Sequence, residues 1–155
     1  MINLPKRLQA LLDEIPAGAR VADIGCDHGK LAVASILSGK AIQCTACDIS
    51  EKSLEKAKIL AKKHDIFEKM QFFHCDGLAC ITPEIADTIV IAGMGGHNIK
   101  DIIGACPHTF KKYILMPHRN PEVVREILLA KNLQIKEYTV LDGGRNYIVI
   151  VGDLL

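Results

Sequence analysis

The chain contains no apolar run approaching the roughly 18 residues that a membrane-spanning helix needs. Its N-terminus, Met1 to Arg7, sets charges before an amphipathic segment but has neither the apolar region nor the small-residue cleavage site of a secretory leader. A cytoplasmic location and no membrane partner are expected. An excess of either charge sign is also missing. The net charge is +1 with histidine neutral, far from the strongly basic balance of a dedicated nucleic-acid module. A nucleic-acid partner therefore has to be held by a local basic patch, since phosphate neutralisation supplies most of such affinity. There is no internal repeat, low-complexity tract or linker. A second C-x-x-C is absent as well, so Cys44-Thr45-Ala46-Cys47 has no mate to complete a four-ligand zinc site. It lies in the run Ala41 to Ile49, read as a strand, where residues three apart point to opposite faces. No metal is expected. Cys26, Cys44, Cys47, Cys75, Cys80 and Cys106 are scattered, and are expected as small buried hydrophobes in a reducing compartment, not as disulfides.

What is present is globular: 155 residues, 49% apolar and 24% charged, enough for one domain over 1–155 with a sizeable core. Leu4, Leu8, Leu11, Leu12 and Ile15 recur at helical spacing, so Leu4 to Glu14 reads as an amphipathic helix ended by Pro16-Ala17-Gly18. Strands are expected at Arg20 to Ile24, Ile42 to Asp48, Met70 to Cys75, Ala86 to Ala92, Lys112 to Met116, Gln134 to Leu141 and Tyr147 to Val151. Helices are expected at Lys30 to Ser38, at Glu51 to Lys63 with Ser50 as N-cap, at Asn98 to Ala105, and from Pro121 to about Lys131 after Asn120. The continuously apolar fourth strand reads as central and buried on both faces. Asp142-Gly143-Gly144-Arg145 is a hairpin signal. The alternation predicts an α/β fold. It has a seven-stranded, mostly parallel sheet built by helix-containing crossovers, helices on both faces and a terminal antiparallel hairpin. This order resembles the Rossmann-like class I S-adenosylmethionine-dependent methyltransferases.

The stretch Val21-Ala22-Asp23-Ile24-Gly25-Cys26-Asp27-His28-Gly29-Lys30-Leu31 reads as strand, glycine-bearing turn and helix, which leaves a ligand-sized crevice at the strand's carboxyl end. A dinucleotide fingerprint needs a glycine where Asp27 stands, and an acid there repels pyrophosphate. No G-K-[ST] follows, so a P-loop is excluded. The plainer alternative is an ordinary strand–helix turn with Asp27 as its N-cap. S-adenosyl-L-methionine, by contrast, carries a sulfonium and an α-ammonium, which acids attract. Gly25 and Gly29 let a backbone approach its methionine part. Asp48, 19 residues beyond Gly29 at the end of the second strand, can accept from ribose hydroxyls. Asp76 can accept from the adenine amino group beside Gly77 and Leu78. Asp23, His28, Ile49, Ala92 and Gly93 complete the expected cofactor set.

Three segments, V-A-D-I-G-C-D-H-G-K-L, H-C-D-G-L and I-V-I-A-G-M-G-G-H-N-I, together closely resemble the bacterial tRNA (adenine-N1)-methyltransferase family that modifies the adenine at position 22. The resemblance runs from Leu4-Pro5-Lys6-Arg7-Leu8 to Asp142-Gly143-Gly144-Arg145-Asn146-Tyr147. It implies a Rossmann-like methyltransferase, S-adenosylmethionine as donor and tRNA as substrate. It places the cofactor on Gly25, Asp27, His28, Asp48, Asp76, Gly77 and Gly93. Two departures stand out. The family usually has Glu where Asp48 is, and usually reads L-Q-P-N where this chain has Leu115-Met116-Pro117-His118. Family members usually also carry a C-terminal helical coiled-coil domain that helps grip tRNA. Here the chain ends at Leu155, which is expected of a cut or naturally short form.

Adenine N1 carries a free lone pair, so transfer needs alignment more than a general base. Met94, Gly95 and His118 are the expected base-positioning residues, Met94 packing on the base. His97, Asn98, Arg119 and Asn120 are polar candidates for holding it, although Gly95-Gly96 also suits a plain tight turn and His97 and Asn98 a helix cap. Lys6, Arg7, Lys111, Lys112, Arg119, Arg125 and Arg145 are candidates for tRNA contact. The Lys52, Lys56, Lys58, Lys62 and Lys63 set reads as a solvated helix face, and His64, His74 and His108 are assigned no role. A small molecule or another RNA as acceptor, or a non-catalytic binding module, remain open alternatives.

Overall fold

A computed structural model describes residues 2–155; Met1 lies outside the described residues. The chain runs α1 (Lys6–Glu14), β1 (Ala19–Ile24), α2 (Lys30–Leu37), β2 (Ala41–Asp48), α3 (Glu51–Lys63), β3 (Met70–His74), β4 (Thr88–Met94), α4 (Gly96–Ala105), β5 (Lys112–Pro117), α5 (Pro121–Ala130), β6 (Gln134–Asp142) and β7 (Arg145–Asp153). The sheet order is β3-β2-β1-β4-β5-β7-β6. The first five strands in that order are parallel, and β7 is antiparallel to both β5 and β6. No helix among the described residues is long and apolar enough to cross a membrane.

Strand alternation sorts the core into two layers. Val21, Cys44, Val90 and Ile114 face α1, α2 and α3 and pack with Leu11, Val33, Leu54 and Ala57. Ala22, Ile24, Ile89, Ile91 and Leu115 face α4 and α5 and pack with Ile99, Ile103, Val124 and Leu128. Cys44 lies in the first layer and Cys47 in the second, so the two sulfurs diverge as the strand period requires.

Between β3 and β4, residues 75–87 form turns that plug the α4 side with Leu78, Ile81 and Ala86. One expectation needs correction. The cysteines are not all unpaired: Cys75 and Cys80 form a disulfide. The turn between them closes on itself, Ala79 N–H donating to Asp76 O at 3.2 Å and Ile81 N–H to Leu78 O at 3.1 Å. The two Cα atoms are thereby brought 6.4 Å apart, within disulfide reach. Cys26, Cys44, Cys47 and Cys106 are free and buried.

Gly29 shows how the first turn constrains packing. It is the residue before α2, with φ +83°, and a Cβ there would lie 2.7 Å from the Ala57 Cβ and 3.0 Å from the Ala57 Cα. The missing side chain is what lets α2 meet α3. Gly29→Ala is therefore expected to cost about 2–4 kcal/mol, from left-handed backbone strain plus overpacking. Gly18→Ala is the contrast. Its φ is +81° but nothing lies within 4 Å of the added Cβ, so strain alone, about 1–2 kcal/mol, is expected. Urea unfolding measures both, and equal losses would rule out the helix contact as the cause.

Candidate active site

The carboxyl ends of the five parallel strands form one rim, and backbone hydrogen bonds lock its segments together. After β1, the Gly25 and Cys26 N–H groups both donate to the Cys47 carbonyl at 2.9 Å. Asp27 N–H donates to Asp48 Oδ2 at 3.0 Å, and Ser50 N–H to Asp48 Oδ1 at 2.9 Å. Asp48 thus ties the β1 turn to the start of α3, and each of its oxygens keeps acceptor capacity. Asp27 is left-handed at φ +53° and its side chain is exposed. The N-cap of α2 is Gly29, with no side-chain cap, so the reading of Asp27 as an N-cap is overturned. Ser50, in contrast, does cap α3, accepting from Ser53 N–H.

Electrostatically this corner is acidic. Asp23 is 5% exposed. Burial first, then the Asp48 and Asp27 carboxylates, pushes it up to about 7 from 3.8. Among the described residues, no Lys or Arg forms an ion pair with Asp23, Asp27 or Asp48; the one basic group paired with any of them is His28, whose Nε2 lies 3.5 Å from Asp27 Oδ1. The Cys26 thiol is pushed far up, mainly by burial, so it is no nucleophile. A corner of this kind suits a cationic ligand and disfavours a phosphate.

At the neighbouring ends, Ile49 follows Asp48 and is 70% exposed. Its carbonyl is hydrogen-bonded to His74 Nε2 at 2.8 Å, a bracing contact that no sequence pattern announces. Cys75 N–H donates to Asp48 O at 3.1 Å, which sets Asp76 beside the β2 end. Asp76 is exposed. Gly77 has φ +56° and abuts Ile102 of α4, and Leu78 is buried in the α4-side core beneath it. Asp76, Gly77 and Asn98 border a cleft of about 480 Å³ that runs on to Asp101 and His108.

On the other side of β1 the rim is built of glycines approached by side chains. Met94 Cε lies 2.6 Å from where a Gly25 Cβ would be, His118 Nε2 3.9 Å from that of Gly93, and Arg119 Nε 3.5 Å from that of Gly95. Asn98 Nδ2 donates to Met94 Sδ at 3.5 Å. The β4 and β5 ends interlock: His118 N–H donates to Met94 O and Gly96 N–H to Arg119 O, each at 2.8 Å. A Cβ at Gly96 would run into the Asn120 and Arg119 carbonyl oxygens. Gly95 is the N-cap of α4, so His97 and Asn98 lie inside the helix and do not cap it. Ala92 is half-buried under this rim.

The structure therefore brings Asp23, Gly25, Asp27, His28, Asp48, Ile49, Met94, Gly93, Gly95, His118 and Arg119 to one rim, with Asn98 and Asn120 beside them. The basic candidates divide. Lys6, Arg7 and Arg145 lie at the rim end beside the hairpin. Lys111 and Lys112 lie at the opposite end of β5, where Lys112 pairs with Asp153. Arg125 is held by Glu137 on the α5 side.

A family model for a methyltransferase domain matches residues 4–150. The chain belongs to that family. The chain is 33% identical over 156 residues to the tRNA (adenine(22)-N(1))-methyltransferase of Bacillus subtilis, covering 98% of this chain and 66% of that protein. It is similar to the crystal structure of the B. subtilis M1A22 tRNA methyltransferase TrmK, with TM-score 0.93, 32% identity and coverage of 100% of this chain and 68% of that one. It is also similar to a putative tRNA (m1A22) methyltransferase of Streptococcus pneumoniae in complex with S-adenosyl-L-methionine. There the TM-score is 0.90 and the identity 27%, covering 99% of this chain and 73% of that one. The chain spans about two thirds of the length of the curated relatives it matches.

The acidic corner has a measurable signature. Because Asp23 is raised to about 7, the folded chain keeps a proton that the unfolded chain releases near pH 4. This group's contribution to stability therefore falls as pH rises from about 4 to about 7. Asp23→Asn is expected to flatten that fall. Urea midpoints at about pH 4.5 and about pH 7.5 check it, and a parent protein that declines no more than the variant would contradict the assignment.

Proposed function

We propose that this chain is an S-adenosyl-L-methionine-dependent methyltransferase acting on N1 of an adenine in tRNA, at position 22, in the cytoplasm. The observation that carries the reading is the acidic corner at the ends of β1 and β2, where Asp23, Asp27 and Asp48 gather without a Lys or Arg ion pair among the described residues. The donor set fits a ligand with a sulfonium and an ammonium and does not fit pyrophosphate. When bound, S-adenosylmethionine supplies an electrophilic methyl group. Gly25, Asp27, His28 and Gly29 receive its methionine end, Asp48 accepts from the ribose hydroxyls, and Ile49, Asp76 and Gly77 hold the adenine end. Asp23 lies beneath them, protonated up to about pH 7 in the free chain, and a bound cation favours its carboxylate form.

The acceptor base enters beside β4 and β5. N1 lies on the pairing edge of adenine, so the base has to be unpaired or flipped. Met94 offers it an apolar face. Asn98, His118 and Arg119 surround the glycines at 93 and 95 and fix its orientation, while Gly96 keeps the two loops close enough to do so. His118, where the resembled family usually has an amide, donates or accepts at the base edge. No side chain has to remove a proton, because the N1 lone pair is already free; alignment supplies the rate.

Asp48→Ala is expected to weaken cofactor binding at least about tenfold, the loss of charge-assisted hydrogen bonds, with the fold retained and a modest drop in unfolding midpoint as the Asp27 and Ser50 N–H groups lose their acceptor. Calorimetry with S-adenosylmethionine tests this, and unchanged affinity would remove Asp48 from the site. Radiolabelled methyl transfer to unmodified tRNA, followed by nucleoside mapping, tests the substrate. Label on any other nucleoside overturns the adenine-N1 assignment.

A further inference from the structure

The β6–β7 hairpin is longer than the sheet it belongs to. β7 pairs with β5 from Lys112↔Asp153 to Leu115↔Ile150, a register that sets Ile148 opposite Pro117, the last residue of β5. Beyond that level, Val140, Leu141 and Asp142 pair only with Tyr147, Asn146 and Arg145. Three residue levels of antiparallel strand reach about 10 Å. Since β7 is antiparallel to β5, this projection rises on the rim side. In the sheet order the acidic half is β3-β2-β1, the glycine-lined rim is on β4, and the projection stands past β5 on the other flank.

The projection is braced and cationic. Tyr147 and Arg145 share the sheet face that carries Val149 and Val151, which is the α1 face. The Tyr147 ring has the Arg7 guanidinium 5.5 Å and the Arg145 guanidinium 5.6 Å from its centroid. Arg7 also donates to Asp142 Oδ2 from its side chain at 2.9 Å and from its backbone N–H at 3.2 Å. The backbone N–H and the guanidinium together hold the Asp142 carboxyl below its usual range. Helix α1 is thereby pinned to the hairpin tip. Lys6, Arg7 and Arg145 stand there against the single acid Asp142, and Arg145 is exposed and has no salt bridge among the described residues. A guanidinium lying on a phenol ring keeps the N–H donors at its edge free for a phosphate. Arg119, also exposed, follows β5, the strand between β4 and β7, and its side chain approaches Gly95.

We propose that the hairpin tip is an arm that grips the phosphodiester backbone of the RNA strand beside the target adenine. Arg145 is its principal phosphate contact, Tyr147 and Arg7 its brace, and Arg119 the next contact toward the site. The inference rests on the proposed function and adds a direction: RNA approaches over β5, β7 and β6, while the cofactor occupies the acidic half. Base identity is not read by the arm, so it acts on strand position and affinity.

The test is a series at one exposed residue, Arg145→Lys, Arg145→Gln and Arg145→Glu, in the full chain with unmodified tRNA. Affinity and KM for tRNA are measured across salt concentrations, beside S-adenosylmethionine affinity by calorimetry. The expected result is near-parental behaviour for Lys, a loss of about three- to tenfold for Gln with a salt slope shallower by about 1, and a larger loss for Glu. Cofactor affinity stays at the parental value in all three. Parental RNA affinity and salt slope in the Gln and Glu variants, with methyl transfer to tRNA intact, overturn the arm and leave the proposed function standing. Failure of the parent chain to bind tRNA at any salt concentration overturns both.

Discussion

The β1–β2 half of the rim, where the acids gather, depends on what Asp48 does with its two oxygens. Each accepts one backbone N–H, from Asp27 on one side and Ser50 on the other. A carboxylate so placed holds a left-handed residue at Asp27 and orders the entry to α3 in a single step. It also fixes a negative charge within the influence of the buried Asp23. In an unliganded protein that arrangement is electrostatically unfavourable, because three acids gather where no lysine or arginine pairs with them. On the proposed reading, a cationic cofactor relieves that strain, and the same contacts that shape the loop prepare it to do so.

The second constraint is steric, and glycine carries it. Gly29 permits the contact of α2 with α3, and Gly96 permits the β4 and β5 ends to interlock through the Arg119 and Asn120 carbonyls. These two glycines act on packing, and Gly25 makes room for the tip of Met94, whereas Gly93 and Gly95 leave space that the side chains of His118 and Arg119 approach. A glycine motif in the sequence does not distinguish these uses. Both matter, since open space above a strand end is useful only if the loops around it are held.

Periodicity made most of the architecture legible. The two faces of β2, the central position of β4 and the closing hairpin all follow from side-chain alternation and turn residues. The boundaries that moved did so for tertiary reasons. β4 was expected over Ala86 to Ala92 and runs from Thr88 to Met94, because Asp87 turns aside to pair with Arg20 and Met94 pairs with Pro117. α4 starts at Gly96, ahead of Asn98, because the Arg119 carbonyl receives the Gly96 N–H. The acids at successive strand ends were legible because their chemistry differs from what nucleotide loops need. The Cys75–Cys80 pairing, the His74 brace under Ile49 and the stacking of two arginines on Tyr147 were not. Each depends on a turn or on elements far apart in the chain, as Arg7 and Tyr147 are, and local patterning carries no such information.

The division of charge across the sheet bears on turnover as well as on binding. On the proposed reading, Asp23, Asp27 and Asp48 attract a donor that carries one more positive charge before transfer than after it. The methylated adenine gains that charge on the flank where His118, Arg119 and Arg145 stand. The acids therefore hold the spent donor less strongly than the fresh one. On the other flank the arginines attract the phosphates and repel the newly cationic base. On that reading, one fixed charge distribution favours both binding of the fresh donor and release of the products. The sign of the reaction's charge movement relative to the sheet is what makes an acidic half next to a basic arm a productive arrangement, and a chain with the two halves exchanged would bind neither partner well.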